Sequence, residues 1–407
     1  MNIKIKAGNK EIKNFISLPA SKSISNRALI IQALCNETFK IKNLSESNDT
    51  QVLYKAINNL TSETIDIGAA GTAMRFLTAF LSLLPGTRIL TGSERMKQRP
   101  IKALVDILKE LGAHIEYMEK DGFPPLKITG KPLNAKPIKI KGNISSQYIS
   151  ALLMIAPYLD GEFVLTIEDK ILSKDYISMT IKLMQQYGIE VNWEGNTIRV
   201  KKGEYKPGEL IVESDWSSAS YWFEIISLSP NSMVELTGLS KKSMQGDSVL
   251  TELFKDLGVD SAFTNFGLRI KNIPTHCSYF EFDFTDCPDL AQTLAVTLVA
   301  KGIPFKLTGL DNLSIKETDR IKALIDEFEK LNIHLQSENN SILQWAGNEK
   351  IITPKNHSVR TYEDHRMALA FAPLSIITKE LVIEDPDVVK KSYPDYWKNL
   401  EEAGFVV

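Results

Sequence analysis

A group of polar residues near the N-terminus has the residue types and spacing of an anion site. Lys22, Ser23 and Arg27 lie where a loop turns into a helix predicted over residues 24–34. The first turn of a helix presents unpaired N–H donors and the positive end of the helix dipole, so it favours a bound anion. The two cations add full charges, and the hydroxyls of Ser23 and Ser25 can cap the helix or donate to a ligand.

Similar polar segments recur where the apolar spacing predicts helix starts: GAAGTAMR (68–75), RMKQRPI (95–101), SSQ (145–147), SKDY (173–176), CPD (287–289), NLSIKETDR (312–320), EDHRMA (363–368) and KSYPD (391–395). Taken singly, each segment also fits a capped or salt-bridged surface helix. The cations at these starts are Lys22, Arg27, Arg99, Lys316, Arg320, Arg366 and Lys391. The concentration of cations at helix starts, in a chain that is nearly neutral overall, predicts one or two polyanionic small ligands.

Segment 312–320 is the most specific of these, because five polar residues from Lys316 to Arg320 enter a predicted helix together. In a helix, Lys316 and Arg320 share a face at i,i+4, and Glu317 and Arg320 share one at i,i+3. Glu317 and Asp289 are then the acids placed to move protons at the ligand. His365 has no partner at metal-ligand spacing, so we expect it to form hydrogen bonds, and no metal is expected.

Composition and charge exclude several classes of protein. A chain of 407 residues is too long for one compact core, so two domains are expected. The net charge of −2, from 48 basic and 50 acidic residues, gives no field for bulk nucleic-acid binding. Cys35, Cys277 and Cys287 are too few and too scattered for a disulfide framework or a zinc site, which indicates a reducing compartment.

Neither a targeting segment nor a membrane span is predicted. Residues 1–13 have the pattern of a strand and a turn, so the expected location is the cytoplasm. The most apolar stretches are shorter than a membrane span and predict buried helices. They are Phe76–Pro85, Leu290–Ala300 and Met367–Ile377.

The chain repeats one pattern: an apolar-spaced helix, a Gly or Asn stop, and two short strands. The stop residues are Gly112, Gly188, Gly258, Asn332 and, in a truncated copy at the C-terminus, Gly404. They recur about every seventy residues, which is too long for a solenoid and fits a small α/β unit. A weaker copy ends near Leu60. About six copies predict three per domain, with crossings near residues 17–20 and 213–215.

The segments resemble the 5-enolpyruvylshikimate-3-phosphate synthase family, in order and over nearly the whole chain. The motifs are LPASKSISNRAL, AAGTAMRFL, RMKQRPI, ISSQYISALLM, SASY, SMQGDS, CPDLAQTLAV, IKETDRI, YEDHRMALAF and KSYPDYW. The resemblance implies an α/β fold of two similar domains, each of three repeated βαβαββ units (an inside-out α/β barrel), with substrates in the interdomain cleft. The expected domains are 1–18 plus 214–407, and an inserted domain, 19–213.

The resemblance also implies the reaction. The enolpyruvyl group of phosphoenolpyruvate moves to the 5-hydroxyl of shikimate 3-phosphate, in the shikimate pathway to chorismate and aromatic amino acids. The shikimate 3-phosphate ligands are then Lys22, Ser23, Arg27, Ser145, Ser146, Gln147, Ser173, Tyr176, Asp289, Asn312 and Lys316. The phosphoenolpyruvate ligands are Lys22, Gly71, Arg99, Gln147, Arg320, Arg366 and Lys391. Developing charge at the reacting carbon favours nearby carboxylates, so Asp289 is the expected base, with Glu317 and Lys22 handling the other protons.

Two residues depart from the family pattern. Ala69 stands where the family usually has Asn, which removes one side-chain hydrogen bond to the reacting group, and Ala20 stands where Gly is usual. The resemblance further implies inhibition by glyphosate at the phosphoenolpyruvate site, beside Gly71. No cofactor is implied, and the partners are small molecules only, with a monomeric chain and neither nucleic acid nor membrane.

Three alternatives stay open. A related UDP-amino-sugar enolpyruvyltransferase would carry SKN instead of SKS and a catalytic cysteine in the loop that here contains SERMKQR. An RNA 3′-phosphate cyclase would share the repeat but need a nucleotide site and a catalytic histidine. The third alternative is a catalytically inactive binding homologue, against which the joint presence of Lys22, Asp289, Glu317 and Arg320 argues.

Overall fold

The computed structural model describes residues 2–8, 11–353 and 357–407. The chain divides into two compact units. The discontinuous unit contains Met1–Ala20 and Glu213–Val407, and the inserted unit contains Ser21–Val212. Of the strand and turn predicted at the N-terminus, the strand is present, whereas residues 9 and 10 of the turn lie outside the described residues.

The strands are β1 (Asn2–Lys6), β2 (Lys13–Ser17), β3 (Ile41–Lys42), β4 (Thr64–Asp66), β5 (Gly86–Thr91), β6 (His114–Tyr117), β7 (Leu126–Gly130), β8 (Ile138–Lys141), β9 (Phe163–Glu168), β10 (Val191–Glu194), β11 (Thr197–Val200), β12 (Leu210–Ile211), β13 (Met233–Thr237), β14 (Val259–Phe263), β15 (Gly267–Asn272), β16 (Phe280–Asp283), β17 (Phe305–Thr308), β18 (Gln336–Glu338), β19 (Ile342–Trp345), β20 (Ser358–Val359) and β21 (Glu380–Glu384).

The α-helices are α1 (Lys22–Leu34), α2 (Asn48–Asn58), α3 (Gly71–Leu83), α4 (Lys102–Glu110), α5 (Ser146–Ile155), α6 (Lys174–Gln186), α7 (Trp216–Leu228), α8 (Leu250–Asp256), α9 (Ala291–Lys301), α10 (Arg320–Glu329), α11 (His365–Phe371), α12 (Ser375–Thr378) and α13 (Tyr396–Glu402).

Two sheets of the inserted unit have the same topology. Their strand orders are β4-β5-β7-β6 and, written in the same sense, β8-β9-β11-β10. In each, the first two strands are parallel and the last two form an antiparallel hairpin. Parallel strands need a crossover, which α3 and α5 supply, while α4 and α6 lead into the hairpins. Each sheet is therefore one βαβαββ unit.

The discontinuous unit uses the same topology, with strand orders β2-β13-β15-β14 and β16-β17-β19-β18. Strand β2 pairs in parallel with β13 although the inserted unit separates them in sequence, with Ile16 opposite Leu236. The last sheet, β20-β21-β1, is completed by the N-terminal strand, which pairs antiparallel with β21. Lys6 also bridges to Val406. The α/β fold of repeated units is thus confirmed.

The weaker copy that ends near Leu60 differs from the others. It consists of α1, β3 and α2, and β3 pairs in parallel with β12 from the far end of the unit. After α2, residues 59–63 lead directly into β4, so the chain has no room for a hairpin at this point. This copy is a shortened unit, which agrees with its being the weaker copy in the sequence.

All five stop residues have the left-handed backbone expected of a helix C-terminus. Their φ angles are +104° at Gly112, +86° at Gly188, +90° at Gly258, +63° at Asn332 and +96° at Gly404. Glycine adopts this conformation without steric cost, and Asn tolerates it better than most residues. The prediction of left-handed helix stops is confirmed.

The first helix of each repeat is buried, and these helices pack on one another. In the inserted unit α1, α3 and α5 are in mutual contact, and in the discontinuous unit α9 packs against both α7 and α11. The apolar stretches predicted to be buried helices lie on α3, α9 and α11–α12. None of the described helices has the length and apolar composition needed to cross a membrane. Mutual packing of these helices brings their N-terminal turns, which carry the polar motifs, into one region of each unit.

Candidate active site

Helix α1 begins two residues earlier than the sequence predicts. Ser21 is its N-cap, and the Ser21 hydroxyl accepts from the backbone N–H of Ile24 at 3.5 Å. Lys22 is therefore the first helical residue, and its Nζ lies 3.7 Å from Oδ2 of the buried Asp49. The hydroxyl of Ser25 faces the interior, where it accepts from the backbone N–H of Ser45 at 3.0 Å.

Arg27 is buried and connects three helices of the inserted unit. Its guanidinium donates to the hydroxyls of Thr180 (2.6 Å) and Ser150 (3.1 Å) and to the carbonyls of Ser23 (2.9 Å) and Tyr176 (3.2 Å). All four partners are neutral. Burial lowers the pKa of Arg27 to about 10, which leaves it a cation at neutral pH. An arginine held by neutral partners is suited to a ligand that brings the negative charge.

The start of α3 is crowded by two guanidinium groups. Arg75 Nη1 donates to the carbonyl of Gly71 at 2.9 Å. A Cβ atom at Gly71 would lie 2.8 Å from Nη1 of Arg75 and 2.6 Å from Nη1 of Arg99. Gln147 joins this group, since its Nε2 donates to the hydroxyl of Thr72 at 3.1 Å. The absence of a side chain at Gly71 is what lets the two arginines approach the helix start.

The remaining predicted residues of the inserted unit lie at the starts of α5 and α6. Ser145 is the N-cap of α5 and accepts from the backbone N–H of Gln147 at 3.3 Å, and Ser146 is the first helical residue. Ser173 is buried at the N-cap position of α6 with a left-handed φ of +56°. The hydrogen bond from Arg27 to the carbonyl of Tyr176 links this turn to α1.

Arg320 is the centre of a second cluster, in the discontinuous unit. Only 2% of its side chain is exposed, and it is bonded to three carboxylates. Nε donates to Asp364 at 2.7 Å, Nη1 to Asp289 at 2.9 Å and Nη2 to Glu317 at 3.0 Å. Burial alone would lower the pKa of Arg320, but these three carboxylates raise it above its ordinary value. Each of the three nitrogens of this guanidinium is therefore bonded to an acid.

Arg366 shares Asp289 with Arg320, because its Nη2 lies 2.9 Å from the second oxygen, Oδ2. It also donates to the hydroxyls of Tyr221 at 3.3 Å and Ser217 at 3.4 Å. Ser217 in turn donates to the buried Asp247. Burial, reinforced by the nearby Asp289, raises the pKa of Asp247 to about 7.

The segment before α10 corrects the sequence prediction. The helix begins at Arg320, and Asp319 is its N-cap, accepting from the backbone N–H of Lys322 at 3.1 Å. Lys316 and Glu317 therefore precede the helix, and the helical i,i+4 and i,i+3 spacings predicted for them are wrong. The ion pair between Glu317 and Arg320 forms nonetheless, because the pre-helical turn directs the carboxylate back to the guanidinium.

Four predicted residues lie in or near this segment. Lys391, at the end of the 3₁₀ helix Pro386–Lys391, places Nζ 3.7 Å from Oε1 of Glu317. Burial lowers the pKa of Lys316, while the nearby Asp289 opposes the shift. Asn312 directly precedes the 3₁₀ turn Leu313–Ile315. Asp289 itself lies in a 3₁₀ turn ahead of α9.

Comparison with known proteins identifies the family. The family model described as EPSP synthase (3-phosphoshikimate 1-carboxyvinyltransferase) matches residues 6–67 and 61–400. The chain belongs to the EPSP synthase family. A protein of Bacteroides fragilis (strain YCH46) named 3-phosphoshikimate 1-carboxyvinyltransferase is 51% identical over 396 residues, which is 97% of this chain and 96% of that protein. One of the same name from Sulfurovum sp. (strain NBC37-1) is 36% identical over 423 residues, covering 96% of each chain.

Solved structures agree on the fold. An EPSP synthase from Acinetobacter baumannii superposes with a TM-score of 0.81 at 21% identity, covering 100% of this chain and 99% of that one. The enolpyruvyl transferase NikO from Streptomyces tendae gives 0.77 at 14% identity, covering 100% and 98%. At these identities the likeness concerns the fold, and it places the present chain in the architecture shared by EPSP synthases.

Sequence reasoning on the EPSP synthase motifs missed several neighbours of the predicted residues. They are Asp49, Thr72, Arg75, Ser217, Tyr221, Asp247 and Asp364. Most lie inside the motifs that carry the resemblance, but as the buried partners of charged residues they have no signature of their own. Arg75 alone had a usable signal, because it follows Gly71 by one helical turn.

Proposed function

We propose that this chain transfers the enolpyruvyl group of phosphoenolpyruvate to the 5-hydroxyl of shikimate 3-phosphate, with release of phosphate. The observation that carries the proposal is the near-full-length likeness to relatives named 3-phosphoshikimate 1-carboxyvinyltransferase. The charge arrangement supports it. Both substrates are small polyanions, and each unit collects arginines and lysines at helix starts, where anions bind favourably.

The proposed ligands of shikimate 3-phosphate are Lys22, Ser23, Arg27, Ser145, Ser146, Gln147, Ser173, Tyr176, Asp289, Asn312 and Lys316. Those of phosphoenolpyruvate are Lys22, Gly71, Arg99, Gln147, Arg320, Arg366 and Lys391. Arg27 supports the first assignment, because its neutral partners leave its charge for a phosphate. Arg99 supports the second, because its guanidinium reaches the open backbone at Gly71.

Protons move in both steps of the reaction. In the addition step the 5-hydroxyl oxygen attacks C2 of phosphoenolpyruvate and gives its proton to Asp289, while C3 gains a proton from Glu317 or Lys22. The resulting tetrahedral adduct then returns a proton from C3 to the group that supplied it and expels phosphate, which regenerates the double bond. The departing phosphate takes up the proton held by Asp289. General acid–base catalysis of this kind needs the acid and the base within hydrogen-bond reach of the reacting atoms.

Asp289 needs one oxygen available to accept that proton, yet each of its oxygens is bonded to an arginine. In the proposed mechanism the anionic groups of phosphoenolpyruvate attract Arg366, which then releases Oδ2 for the 5-hydroxyl. Arg320 stays bonded to Oδ1 and keeps the carboxylate oriented. Binding of phosphoenolpyruvate thus frees Asp289 to act as the base for the 5-hydroxyl of shikimate 3-phosphate.

A phosphate-release assay tests the proposal. Release should require both phosphoenolpyruvate and shikimate 3-phosphate, and mass spectrometry should detect the enolpyruvyl ether of the latter. Release with a UDP-amino sugar as acceptor would support the related transferase instead. Binding of both substrates without any release would support an inactive homologue. We further propose a cytoplasmic monomer whose domains are residues 1–18 plus 214–407 and residues 19–213, and which uses no cofactor or metal.

A further inference from the structure

The turn that leads into α11 has an unusual backbone. The backbone N–H of Asp364 donates to the carbonyl of Thr361 at 2.9 Å, which closes a four-residue turn. Its two central residues, Tyr362 and Glu363, have φ angles of +54° and +58°. Positive φ at both central positions is the pattern of a type I′ turn, which strongly prefers Asn and Gly. A tyrosine and a glutamate adopt it only at a cost in strain.

A second turn in the same unit shows what the sequence ordinarily uses. The hairpin between β18 and β19 turns at Asn339 and Asn340, whose φ angles are +52° and +55°. In that hairpin the twist of the two strands requires a primed turn, and Asn tolerates it. The turn at Tyr362 connects β20 to a helix and lies in no hairpin, so neither residue type nor local pairing accounts for its conformation.

Tertiary contacts with α10 hold the Tyr362 turn. The Tyr362 hydroxyl donates to Oε1 of Glu327 at 2.7 Å. Glu327 is completely buried, and Lys330 Nζ lies 2.7 Å from each of its oxygens. Burial, together with the bond to Glu327, raises the pKa of Tyr362, so the hydroxyl keeps its proton and remains a donor.

Helix α10 therefore contacts this turn through two side-chain interactions. At its first residue, Arg320 bonds to Asp364, and two helical turns later Glu327 bonds to Tyr362. Between these contacts lies the strained backbone. Asp364 has a second role, because its Oδ1 accepts from the backbone N–H of Arg366 at 2.9 Å and so caps α11. The conformation of the turn thus determines where both Arg320 and Arg366 present their guanidinium groups.

We infer that Tyr362 and Glu327 are positioning residues, which hold the strained turn so that Asp364 orients Arg320 and Arg366. This inference rests on the proposed function, in which those arginines bind phosphoenolpyruvate. Neither positioning residue touches the substrate. Their contribution is to prevent the turn from relaxing into the ordinary backbone region, which would move Asp364 and both arginines together.

Steady-state kinetics of the full chain test the inference with Tyr362→Phe, which removes only the hydroxyl. We expect the KM for phosphoenolpyruvate to rise about tenfold, the equivalent of one hydrogen bond to a charged group. The KM for shikimate 3-phosphate should rise clearly less. Asp289 is bonded to these arginines, but most of the other proposed ligands of this substrate, such as Arg27, Ser145 and Ser173, lie in the inserted unit. Tyr279→Phe, at an exposed tyrosine of the same unit, is the matched control and should change neither constant.

A second substitution separates strain from general stability. Glycine takes up the left-handed conformation freely, so adding Glu363→Gly to Tyr362→Phe should restore most of the affinity for phosphoenolpyruvate. Asn340→Gly in the same background removes a comparable residue from a comparable conformation away from the turn, and it should restore none. If Tyr362→Phe fails to fold, Glu327→Met removes the acceptor instead and carries the same expectations.

The results discriminate between this inference and the proposed function. A wild-type chain that releases no phosphate with both substrates contradicts the proposed function itself. An active wild type whose Tyr362→Phe variant has unchanged KM values, or an equal rise in both, contradicts the positioning role. Equal rescue by Asn340→Gly and Glu363→Gly would also contradict it, because the cause would then be global stability.

Discussion

Asp289 shows how one carboxylate can be both a structural partner and a catalytic group. Its two oxygens are bonded to different arginines, one of which, Arg320, is itself surrounded by acids. Because Arg320 has two further carboxylate partners, Asp364 and Glu317, its position does not depend on Asp289 alone. Arg366 is held partly by neutral hydroxyls, so it is the arginine that an anionic substrate can draw away more easily.

Asp289→Asn is expected to lower kcat at least about a hundredfold while the KM values change much less. The amide keeps the shape of the carboxylate and can still accept from Arg320, but it cannot take the proton of the 5-hydroxyl. Asp260→Asn, at an acid of β14 that pairs with Lys271, is a control that should behave as wild type. A variant at position 289 with near-normal kcat would remove Asp289 from the role of base.

Glu224 is a buried acid that the proposed mechanism does not use. It lies on α7, is completely buried, and neither of its carboxyl oxygens has a hydrogen-bond partner among the described residues. Burial raises its pKa well above the ordinary value, so the folded chain favours the protonated form. Its contribution to stability is complete below the pKa of an unfolded glutamate and is lost as the pH rises towards the folded pKa.

Glu224→Gln should therefore become increasingly stabilising, relative to wild type, as the pH rises from about 5 to about 9. The amide is neutral over this whole pH range, so only the wild-type chain is destabilised by ionisation at this position. Melting temperatures of both proteins, measured across that range, give the comparison. Glu252→Gln on the exposed face of α8 should show no such trend. A Tm difference at position 224 that is constant with pH would contradict the prediction.

At the scale of the elements, the sequence is most informative where one residue type has one geometric role. The stops at Gly112 and Asn332 are of this kind, and their left-handed backbones follow from the residue itself. The start of α10 is not, because Lys316, Glu317 and Asp319 are all acceptable at a helix start. Only the capping bond that Asp319 accepts from the backbone N–H of Lys322 decides that the helix begins at Arg320. Glu317 bonds to Arg320 from outside the helix.

The shortened repeat has a similar explanation. A hairpin is recognised in sequence by a turn between two strand-like runs, and the residues between α2 and β4 are too few for either.

The contacts of the candidate site can likewise be predicted only where the local sequence has a signal for them. Lys22, Arg27 and Arg320 stand out as charges at helix starts, whereas the neutral partners of Arg27, Thr180 and Ser150, come from other helices and depend on tertiary packing.

The start of α3 gives a prediction at this scale. Gly71→Ala should raise the KM for phosphoenolpyruvate and weaken inhibition by glyphosate, each about tenfold. The added methyl would lie 2.6 Å from Nη1 of Arg99, so the guanidinium must shift. Kinetics with glyphosate as a competitor of phosphoenolpyruvate measure both effects.

Gly203→Ala is the matched control in the same unit. Its Cβ would make only an ordinary contact, 3.5 Å from Cδ1 of Ile189, so neither constant should change. If Gly71→Ala left both constants unaltered, Arg99 would not be positioned by the open backbone at Gly71. If glyphosate did not inhibit the wild-type chain at all, the result would instead indicate that Ala69 changes the phosphoenolpyruvate pocket.

At the scale of the whole molecule, the chain inserts one set of repeats into another. Strand β2 pairs with β13 and the backbone N–H of Asp215 donates to the carbonyl of Pro19 at 2.8 Å, so the two chain segments of the discontinuous unit are joined to each other at the point of insertion. The crossing region can be inferred from the repeat count. The pairing of β2 with β13 and of β1 with β21 cannot be inferred in this way, because the pairing of strands so far apart in sequence depends on how the complete sheets assemble.

Both ends of the inserted unit are held by contacts within the unit itself. At one end Ser21 caps α1, and at the other β12 pairs with β3 while Asn43 donates to the carbonyl of Val212 at 2.7 Å. Residues 21–212 produced alone should therefore fold and unfold in one cooperative thermal transition. Residues 21–200 lack β12 and leave β3 unpaired, so this control should melt at a lower temperature. Calorimetry that shows no cooperative transition for residues 21–212 would mean that the inserted unit depends on the rest of the chain for its folding.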